Sequence, residues 1–422
     1  MNLLNRKEIA SGIFLSSITD SRFKQNRISI SFLTQLHQDK ASVNAVVGKI
    51  LTNSCRVYPD LRSLNAKLSS LYAARLSENV ASLGDTQCVG LSVKTIDSRY
   101  ALEGEDVMGE GVRILLDCLF DPLLESGVFK SSVTEIEKQA CIDQIEAELN
   151  DKRVYAVRRA NQLLCKGEPA AVLDQGTVED VQAVTSESAY KAYQDILKTA
   201  RIEIVCVGCN DFDSARTLLS EAFGSLERVE MDDCHSNPSL PKDDIHTHIE
   251  EMDVNQSKMV LGFKCESDDC DALALMAKIY GGSATSKLFE NVREKMSLCY
   301  YCWAKFYVNK RIMLSECGVE KDNIETAKVE ILSQFELMKK SDFTDTEINH
   351  AILSLQNDLK LVGDSLTGIK TWYLNHIYRC DVITPEMAIE RYKSITRERI
   401  VKAAQSVTLD TVYVLTDGEA KA

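Results

Sequence analysis

Two pairs of cysteines in the sequence have the spacing of zinc or redox sites. Cys206 and Cys209 form one C-x-x-C pair, and Cys299 and Cys302 form the other. Such spacing can hold structural zinc or support a redox-active disulfide. Both pairs lie in strand-like runs, where residues three apart point to opposite faces of a sheet. A zinc knuckle would need a turn, so Cys206 is predicted to be a core residue, and Tyr300 and Tyr301 indicate packing around the second pair.

A second pattern places two imidazoles close together. His246 and His248 lie two residues apart, and Glu250 and Glu251 follow them. Imidazoles and carboxylates are both zinc ligands. A polar linker that enters a strand explains the same residues without a metal, and a ligand pair without supporting hydrogen-bond partners is a weak pattern. The polar-strand interpretation is therefore preferred.

The most specific pattern in the chain is the segment from Gly281 to Tyr300, GGSATSKLFENVREKMSLCY. Its two glycines can end one helix, because glycine readily adopts positive φ, and another helix follows. Arg293 comes four residues after Phe289, so the two side chains share one helix face. From residue types alone, Arg293 would pair with a neighbouring glutamate at the surface and Tyr300 would be a half-buried core residue.

This segment resembles the second domain of the insulinase-type zinc peptidases, the M16B group of the M16 family. That domain has a Gly-Gly turn, a serine step, a helix with Leu-Phe, then Arg-Glu-Lys and a closing tyrosine. The matching residues are Gly281, Gly282, Ser286, Leu288, Phe289, Arg293, Glu294, Lys295 and Tyr300. The resemblance covers essentially the whole chain. It implies that Arg293 and Tyr300 bind the backbone of a substrate peptide beside a zinc ion.

The zinc motif of the family is missing from the first half of the chain. M16 enzymes carry H-x-x-E-H, whose histidines hold zinc and whose glutamate activates the bound water. The motif lies shortly before a Tyr-Pro step, found here at 58–59. Counting back places Ala45 and Lys49 at the histidines and Gly48 at the glutamate. A further glutamate ligand falls near Gln144. The resemblance thus implies that this chain builds no catalytic zinc site.

The predicted elements that would position these residues repeat along the chain. Each half begins and ends with a strand, and long helical segments with acidic starts follow Phe129 and Phe343. Such a repeat indicates two copies of one domain, at 1–229 and 248–422, joined by a polar, proline-containing linker at 230–247. Strands and long helices that do not strictly alternate predict an α+β fold, with helices on one face of a largely antiparallel sheet. The resemblance implies the LuxS/MPP-like metallohydrolase fold and half of a clamshell.

The composition excludes several classes of protein. The 422 residues are 45% hydrophobic and carry a net charge of −14, which supports a core but disfavours binding to nucleic acid or anionic membranes. The sequence has no apolar run of about 18 residues and no signal-peptide pattern, so we expect no membrane span. Fourteen scattered cysteines without an export signal indicate reduced thiols in a cytoplasm.

The resemblance implies a non-catalytic subunit of a zinc-dependent peptidase pair. Such a subunit would be inactive alone and hold no cofactor, with zinc only in a homologous partner, either as a heterodimer or with pairing to a second copy of itself. Its substrate would be an unstructured peptide that lies extended along a sheet edge. The alternatives are a scaffold or binding protein without a proteolytic role, and an enzyme of another class, which would need a polar cleft with a titratable cluster.

Overall fold

The computed structural model describes residues 4–209, 211–229, 231, 234–242 and 244–418. The chain divides into two compact units, and each consists of a sheet with packed helices. The first unit comprises the described residues of Met1–Glu146, Val172–His235 and Val362–Thr384. The second comprises those of Ala147–Ala171, Ser236–Leu361 and Pro385–Ala422. The predicted α+β class is confirmed.

The elements are numbered in chain order. The strands are β1 Asn5–Ala10, β2 Ile13–Thr19, β3 Gln25–Gln35, β4 Arg75–Leu83, β5 Thr86–Ile96, β6 Leu124–Glu125, β7 Val128–Phe129, β8 Arg201–Gly208, β9 His246–Glu251, β10 Ser257–Cys265, β11 Cys299–Tyr307, β12 Ile312–Val319 and β13 Val407–Thr416. The α-helices are α1 Gln38–Asn53, α2 Leu61–Ser70, α3 Val107–Phe120, α4 Ser131–Asn150, α5 Lys152–Leu164, α6 Val178–Gln182, α7 Ser186–Thr199, α8 Asp213–Gly224, α9 Cys270–Gly281, α10 Ile324–Lys339, α11 Asp345–Val362, α12 Leu366–Tyr378, α13 Pro385–Lys393 and α14 Arg397–Gln405. A π-helix spans Leu288–Lys295, and short 3₁₀ helices lie at Ser98–Tyr100, Pro169–Ala171 and Lys321–Asn323.

The first unit has a six-stranded sheet in the order β1-β2-β8-β3-β5-β4. Only the β2–β8 pair is parallel among the neighbours of this sheet, so the largely antiparallel prediction is confirmed. Strands β3 and β8 are buried because both of their faces carry apolar residues. Ile202, Ile204 and Cys206 of β8 alternate into a core that α1, α3 and α7 complete. Strand β4 lies at one edge.

The second unit has a five-stranded sheet in the order β11-β12-β10-β13-β9. All of its pairs are antiparallel except β13 with β9. The central strand β10 is almost entirely buried, and α9, α10 and α14 cover one face of the sheet. Strand β11 lies at one edge and is paired only with β12 within this sheet. The π-helix comes just before β11 in the chain.

Each sheet also carries one helix on its other face, α12 in the first unit and α5 in the second. The apolar contacts of α12 involve Ile18, Val205, Val207, Leu366, Ile369 and Tyr373. Those of α5 involve Ala156, Ala160, Leu164, Val260, Leu314 and Tyr413. Because α5 precedes the predicted linker and α12 follows it, each half of the sequence supplies one helix to the other unit. The boundaries 1–229 and 248–422 describe the two copies of the sequence repeat, not the two compact units. They therefore stay a prediction.

The predicted linker at 230–247 is in part a well-packed segment of the second unit. Residues 230, 232, 233 and 243 of it lie outside the described residues. Lys264, whose side chain is buried, donates a hydrogen bond to the carbonyl oxygen of Leu240 at 2.7 Å. Lys310 donates to the carbonyl oxygen of Asn237 at 2.7 Å. Two buried ammonium groups thus hold this polar stretch against the sheet.

The helices of the described residues include none that is long and apolar enough to cross a membrane.

Candidate functional site

The residues that match the zinc motif lie on α1 and are packed into the core of the first unit. Ala45 is fully buried, and Gly48 is buried too. A Cβ atom added to Gly48 would lie 3.1 Å from a methyl carbon of Val89 on β5. A side chain at position 48 would therefore need its neighbour to move, because real Cβ contacts are rarely so short. A glutamate at this position would require Val89 to shift by a few tenths of an ångström.

Lys49 forms an ion pair in the place where the motif has its second histidine. Its Nζ atom lies 3.1 Å from Oε1 of Glu78 on β4, and 13% of the lysine side chain is exposed. Glu137 of α4 accepts a hydrogen bond of 2.6 Å from Asn53, one turn beyond Lys49 on α1. Burial raises the pKa of the Glu137 carboxyl, while the bond from Asn53 and the charge of Lys49 act in the opposite direction. The ammonium group is thus the positive charge of an otherwise acidic cluster.

The carboxylate that approaches α1 from α4 is Glu137, and Gln144 lies elsewhere on that helix. Gln144 is exposed and comes two turns after Glu137. The buried side of α4 presents Thr134, Cys141, Ile142 and Ile145 to the core. Counting along the chain missed both Glu78 and Glu137, because no local pattern shows which acidic residues reach Lys49. The described residues contain no group of three or more His, Cys, Asp or Glu side chains arranged to hold a metal ion.

Arg293 lies on the π-helix of the second unit with its guanidinium group fixed over an aromatic ring. Its Cζ atom lies 4.6 Å from the centre of the Phe289 ring, which confirms that the two share one helix face. The guanidinium also lies 3.7 Å from the carboxylate of Glu294, and the side chain is 40% exposed. The two charges of an exposed ion pair attract each other only weakly, so Glu294 leaves the guanidinium available to a ligand. Since π-helices often mark functional sites, the geometry suits a ligand-binding arginine.

Tyr300 is exposed rather than half-buried, because it lies in a β-bulge. The register of β11 against β12 shifts between Cys299 and Tyr301, so that Tyr300 is the extra residue. Its side chain is 64% exposed. The phenol donates a hydrogen bond to the Glu320 carboxylate, which raises the pKa of Tyr300. A phenol at the start of an edge strand is accessible to a ligand.

The structure brings Arg293 and Tyr300 to the same end of β11. The π-helix packs against β11. The hydrogen bond from Cys302 lowers the pKa of the Cys299 thiol, and the positive charge of Arg293 lowers it further. The charge of the guanidinium therefore acts on the residue that directly precedes Tyr300.

The bulge also changes where the second C-x-x-C pair points. Cys299 and Cys302 were predicted to face opposite sides of the sheet, and that prediction is wrong: both are buried on the core side. The extra residue shifts the alternation by one position, so residues three apart fall on the same face. Cys206 lies in the core of the first unit, as predicted, and Cys209 is also a buried free thiol.

A cationic and aromatic surface lies on the outer face of β11. The Arg153 guanidinium from α5 stacks 4.4 Å from the ring centre of Tyr301 and 5.0 Å from that of Trp303. It donates to both oxygens of Glu316 on β12, at 2.9 and 3.1 Å. Trp303 remains 47% exposed. Sequence reasoning missed this group, because Arg153 is 163 residues away from Glu316.

His246 and His248 lie on the exposed edge strand β9, where a polar stretch enters the sheet. Their ring centres are 6.5 Å apart. Burial lowers the pKa of His248, as does the neighbouring imidazole. The carboxylate of Glu250 accepts hydrogen bonds from the hydroxyl groups of Tyr155 and Tyr413, the latter at 2.9 Å. Its oxygen atoms are thus engaged with these tyrosines.

Comparison with known proteins relates the chain to one family of peptidases. Residues 183–355 match the model of the peptidase M16 inactive domain. A curated relative from Bacillus subtilis, a probable inactive metalloprotease called YmfF, is 26% identical over 414 residues, which cover 96% of each chain. A conserved protein of Enterococcus faecalis has the same fold, with a TM-score of 0.91, 22% identity and full coverage of both chains. A peptidase M16 inactive domain from Pseudomonas fluorescens has a TM-score of 0.77 and 14% identity over 99% of each chain.

Proposed function

Because the chain is a member of the M16 peptidase family, we propose that it is the non-catalytic subunit of a zinc-dependent peptidase pair. It would bind an extended peptide and present Arg293 and Tyr300 to a homologous subunit that carries H-x-x-E-H. The observation that carries the proposal is a contrast within the chain. Arg293 and Tyr300 are accessible at one end of β11, whereas Ala45 and Gly48 are packed into a core.

The first unit supplies the reason for expecting no activity from the chain alone. Ala45 has no ligand atom, and Gly48 has no carboxylate that could activate water. The ammonium group of Lys49 would repel a zinc ion at the distances of metal coordination. A relative that matches the whole length of the chain is described as a probable inactive metalloprotease. The proposal therefore assigns the zinc ion and the activation of water to the partner subunit.

The edge position of β11 supports the binding of an extended peptide. An edge strand has backbone N–H and C=O groups that are not paired within its sheet. A peptide can add to such an edge through main-chain hydrogen bonds, and this mode selects unstructured substrates. Tyr300 and Trp303 project from the same strand and are exposed. They would contact the side chains or the backbone of the added peptide.

The chemistry of the two proposed substrate-binding groups fits this role. The guanidinium of Arg293 keeps its charge at all physiological pH values and donates to carbonyl oxygens. Because the guanidinium already lies over the Phe289 ring, its side chain would lose less conformational entropy when a peptide binds. The hydrogen bond to Glu320 raises the pKa of Tyr300, so the phenol keeps its proton. A phenol has one proton, so the hydroxyl would turn from Glu320 to the substrate in order to donate. Such a donor can stabilise the oxygen that becomes negative during peptide hydrolysis.

The test is a peptidase assay with the purified chain, alone and with a zinc-bearing homologue. We expect no hydrolysis of unstructured peptides by the chain alone, and hydrolysis by the pair. Arg293→Ala and Tyr300→Phe should each lower turnover of the pair by about 10-fold or more. Matched controls are Arg56→Ala and Tyr100→Phe, which also change exposed residues.

Two outcomes would overturn the proposal. One is stoichiometric zinc and peptide cleavage in the isolated chain. The other is an active pair whose turnover is unchanged in both variants, which is what the scaffold alternative predicts. The proposal also places the pair in the cytoplasm, where the fourteen free cysteines would stay reduced.

A further inference from the structure

Three cysteine thiols meet beneath the bulge that carries Tyr300. Cys299 and Cys302 lie on the same side of β11, and Cys302 is directly opposite Cys317 on β12. The thiol of Cys302 is in hydrogen-bonding contact with those of both Cys299 and Cys317. All three are free thiols. The bulge is the cause of the contact between Cys299 and Cys302, since regular alternation would have separated them.

Cys299 is the member of this group that a small oxidant can reach. Its exposure is 9%, compared with 3% for Cys302 and 0% for Cys317. The hydrogen bond from Cys302 lowers the pKa of the Cys299 thiol, and the charge of Arg293 lowers it further, while burial opposes both. The thiolate is the reactive form of cysteine. An accessible thiolate in contact with a second thiol is the arrangement found in reversible redox sensors.

We propose that Cys299 and Cys302 form a reversible, peroxide-sensitive dithiol that controls the position of Tyr300. The Cys299 thiol first releases its proton to solvent. The thiolate attacks one oxygen of hydrogen peroxide, the O–O bond breaks, and the departing hydroxide takes up that proton, which leaves a sulfenic acid and one water. The Cys302 thiol then attacks the sulfur of Cys299, the S–S bond forms and a second water leaves. The two thiols lose two electrons and two protons, and the peroxide is reduced to two waters. A dithiol reductant reverses the reaction by exchange.

The disulfide would change the backbone at Tyr300. An S–S bond is about 2.05 Å long. Two sulfur atoms in hydrogen-bonding contact must therefore move at least about 1 Å closer together before that bond can form. Tyr300 is one of the two residues between these cysteines and is the extra residue of the bulge. The thiolate beside Arg293 is also lost. The effect on peptide binding rests on the proposed function, whereas formation of the disulfide does not.

The first unit contains a second thiol pair that serves as an internal control. Cys55 and Cys118 are in hydrogen-bonding contact, and that contact lowers the pKa of Cys55 to about 7. Both residues are 0% exposed. Their chemistry resembles that of the β11 pair, but peroxide cannot reach them in the folded chain. We therefore expect the β11 pair to be oxidised first.

The experiment is a peroxide titration of the folded chain followed by alkylation and a tryptic map. The variant Cys380→Ser removes an exposed cysteine that would otherwise link two chains. Lys295 and Lys305 place Cys299 and Cys302 in one tryptic peptide, whereas Cys317 falls in another. We expect that peptide to lose two hydrogen atoms, before any link between Cys55 and Cys118 forms, and to regain them with dithiothreitol.

Three results of the map would overturn the dithiol. They are a link between Cys302 and Cys317, earlier oxidation of the Cys55–Cys118 pair, and alkylation of both Cys299 and Cys302 after other cysteines are oxidised. In Cys302→Ala the sulfenic acid on Cys299 should persist and react with dimedone. The map of the chain with only the Cys380→Ser change decides the proposal even if Cys302→Ala fails to fold.

A second readout separates this proposal from the proposed function. We expect the oxidised chain to lower the turnover of the pair several-fold and the Cys302→Ala chain to respond less to peroxide. A disulfide that forms without any change in turnover would refute control of Tyr300. Loss of the proposed function would show instead as unchanged turnover in Arg293→Ala and Tyr300→Phe, whatever the redox state.

Discussion

The end of α1 in the first unit and the start of β11 in the second differ in how they hold the residues that the family resemblance singles out. On α1, Ala45 and Gly48 are packed against apolar neighbours, and Lys49 is neutralised by a carboxylate. On β11, Tyr300 and Trp303 are largely exposed. The first arrangement stabilises the fold, while the second leaves donors and aromatic rings available. Substitutions should therefore change stability in the first region and binding in the second.

The largest effect is expected from restoring the zinc motif in the first unit. The triple variant Ala45→His, Gly48→Glu and Lys49→His would force two large polar side chains into a filled core. We expect it to lower the free energy of unfolding by about 3 kcal/mol or more, because overpacking and buried polar groups both destabilise. Urea unfolding measures the change, and Ala284→His at an exposed position is the control.

The same variant tests whether the region is a lost zinc site or a finished core. If the triple variant folds with near-normal stability and binds one zinc per chain, the α1 region is not a filled core. The contrast between a packed α1 region and an accessible β11 region would then be wrong. Zinc content of the dialysed protein gives that answer independently of the unfolding curve.

A smaller effect is expected from removing the ammonium group of the acidic cluster. In Lys49→Met, Glu78 and Glu137 lose their positive neighbour. We expect a loss of about 1 to 2 kcal/mol at neutral pH, a figure reduced because the side chain of Glu78 is partly exposed. Lys49→Arg keeps the charge and should be much closer to the natural chain.

The loss should depend on pH with a defined sign. Burial raises the pKa of Glu137 in the folded chain, so protonation of this group favours folding. Its stabilising effect is complete below the unfolded pKa, about 4.3, and is lost as pH rises through the folded pKa. Removing Lys49 takes away a charge that lowers the pKa of Glu137. The loss of stability in Lys49→Met should therefore become smaller as the pH falls from neutral towards about 4. Unfolding curves at several pH values that show a constant deficit would exclude this electrostatic explanation.

Much of the fold could be predicted from local sequence patterns, including the helix α1 that carries Ala45, Gly48 and Lys49. The apolar residues of α1 and of the strands β3, β5 and β8 are periodically spaced in the sequence, since a buried face imposes a regular spacing. The pairing of Arg293 with Phe289 followed from helix geometry. These features depend only on residues close in sequence.

The features that could not be predicted depend on a single extra residue or on distant partners. The bulge at Tyr300 reverses the expected exposure of Tyr300 and the facing of Cys302, and the residue types there do not encode it. Glu78 pairs with Lys49 from another element, and the charge of Lys49 acts on Glu137 of α4. Strand β4, which carries Glu78, is too polar to show a clear alternation and was missed. The packing partners of α5 and α12 are likewise set by the tertiary fold.

The next effect concerns the rigidity of the β11 surface. Arg153→Lys would lose the two-pronged contact with Glu316 and most of the stacking on Tyr301, because an ammonium group is neither planar nor forked. We expect a loss of about 1 kcal/mol, since the arginine side chain is 40% exposed. A double-mutant cycle with Glu316→Gln measures the coupling by urea unfolding. Additive effects would mean that Arg153 does not hold this surface in place.

The smallest effect is a shift in the pH profile of the peptidase pair. If the proton of Tyr300 is needed for turnover, activity should fall as the pH rises through the pKa of that phenol. The hydrogen bond to Glu320 raises this pKa, so the proton is kept to higher pH. Glu320→Gln removes the negative charge, and we expect the alkaline limb to move to lower pH, with turnover at neutral pH nearly unchanged.

Tyr300→Phe is the matched control for that shift. It has no phenolic proton, so its residual turnover should lack this limb, and adding Glu320→Gln should cause no further movement. A limb that stays in place in Glu320→Gln, or moves equally in the presence of Tyr300→Phe, would assign it to a group on the partner. In that case the phenol of Tyr300, although exposed, would take no part in peptide hydrolysis. The start of β11 and the end of α1 would then differ only in how tightly their side chains are packed.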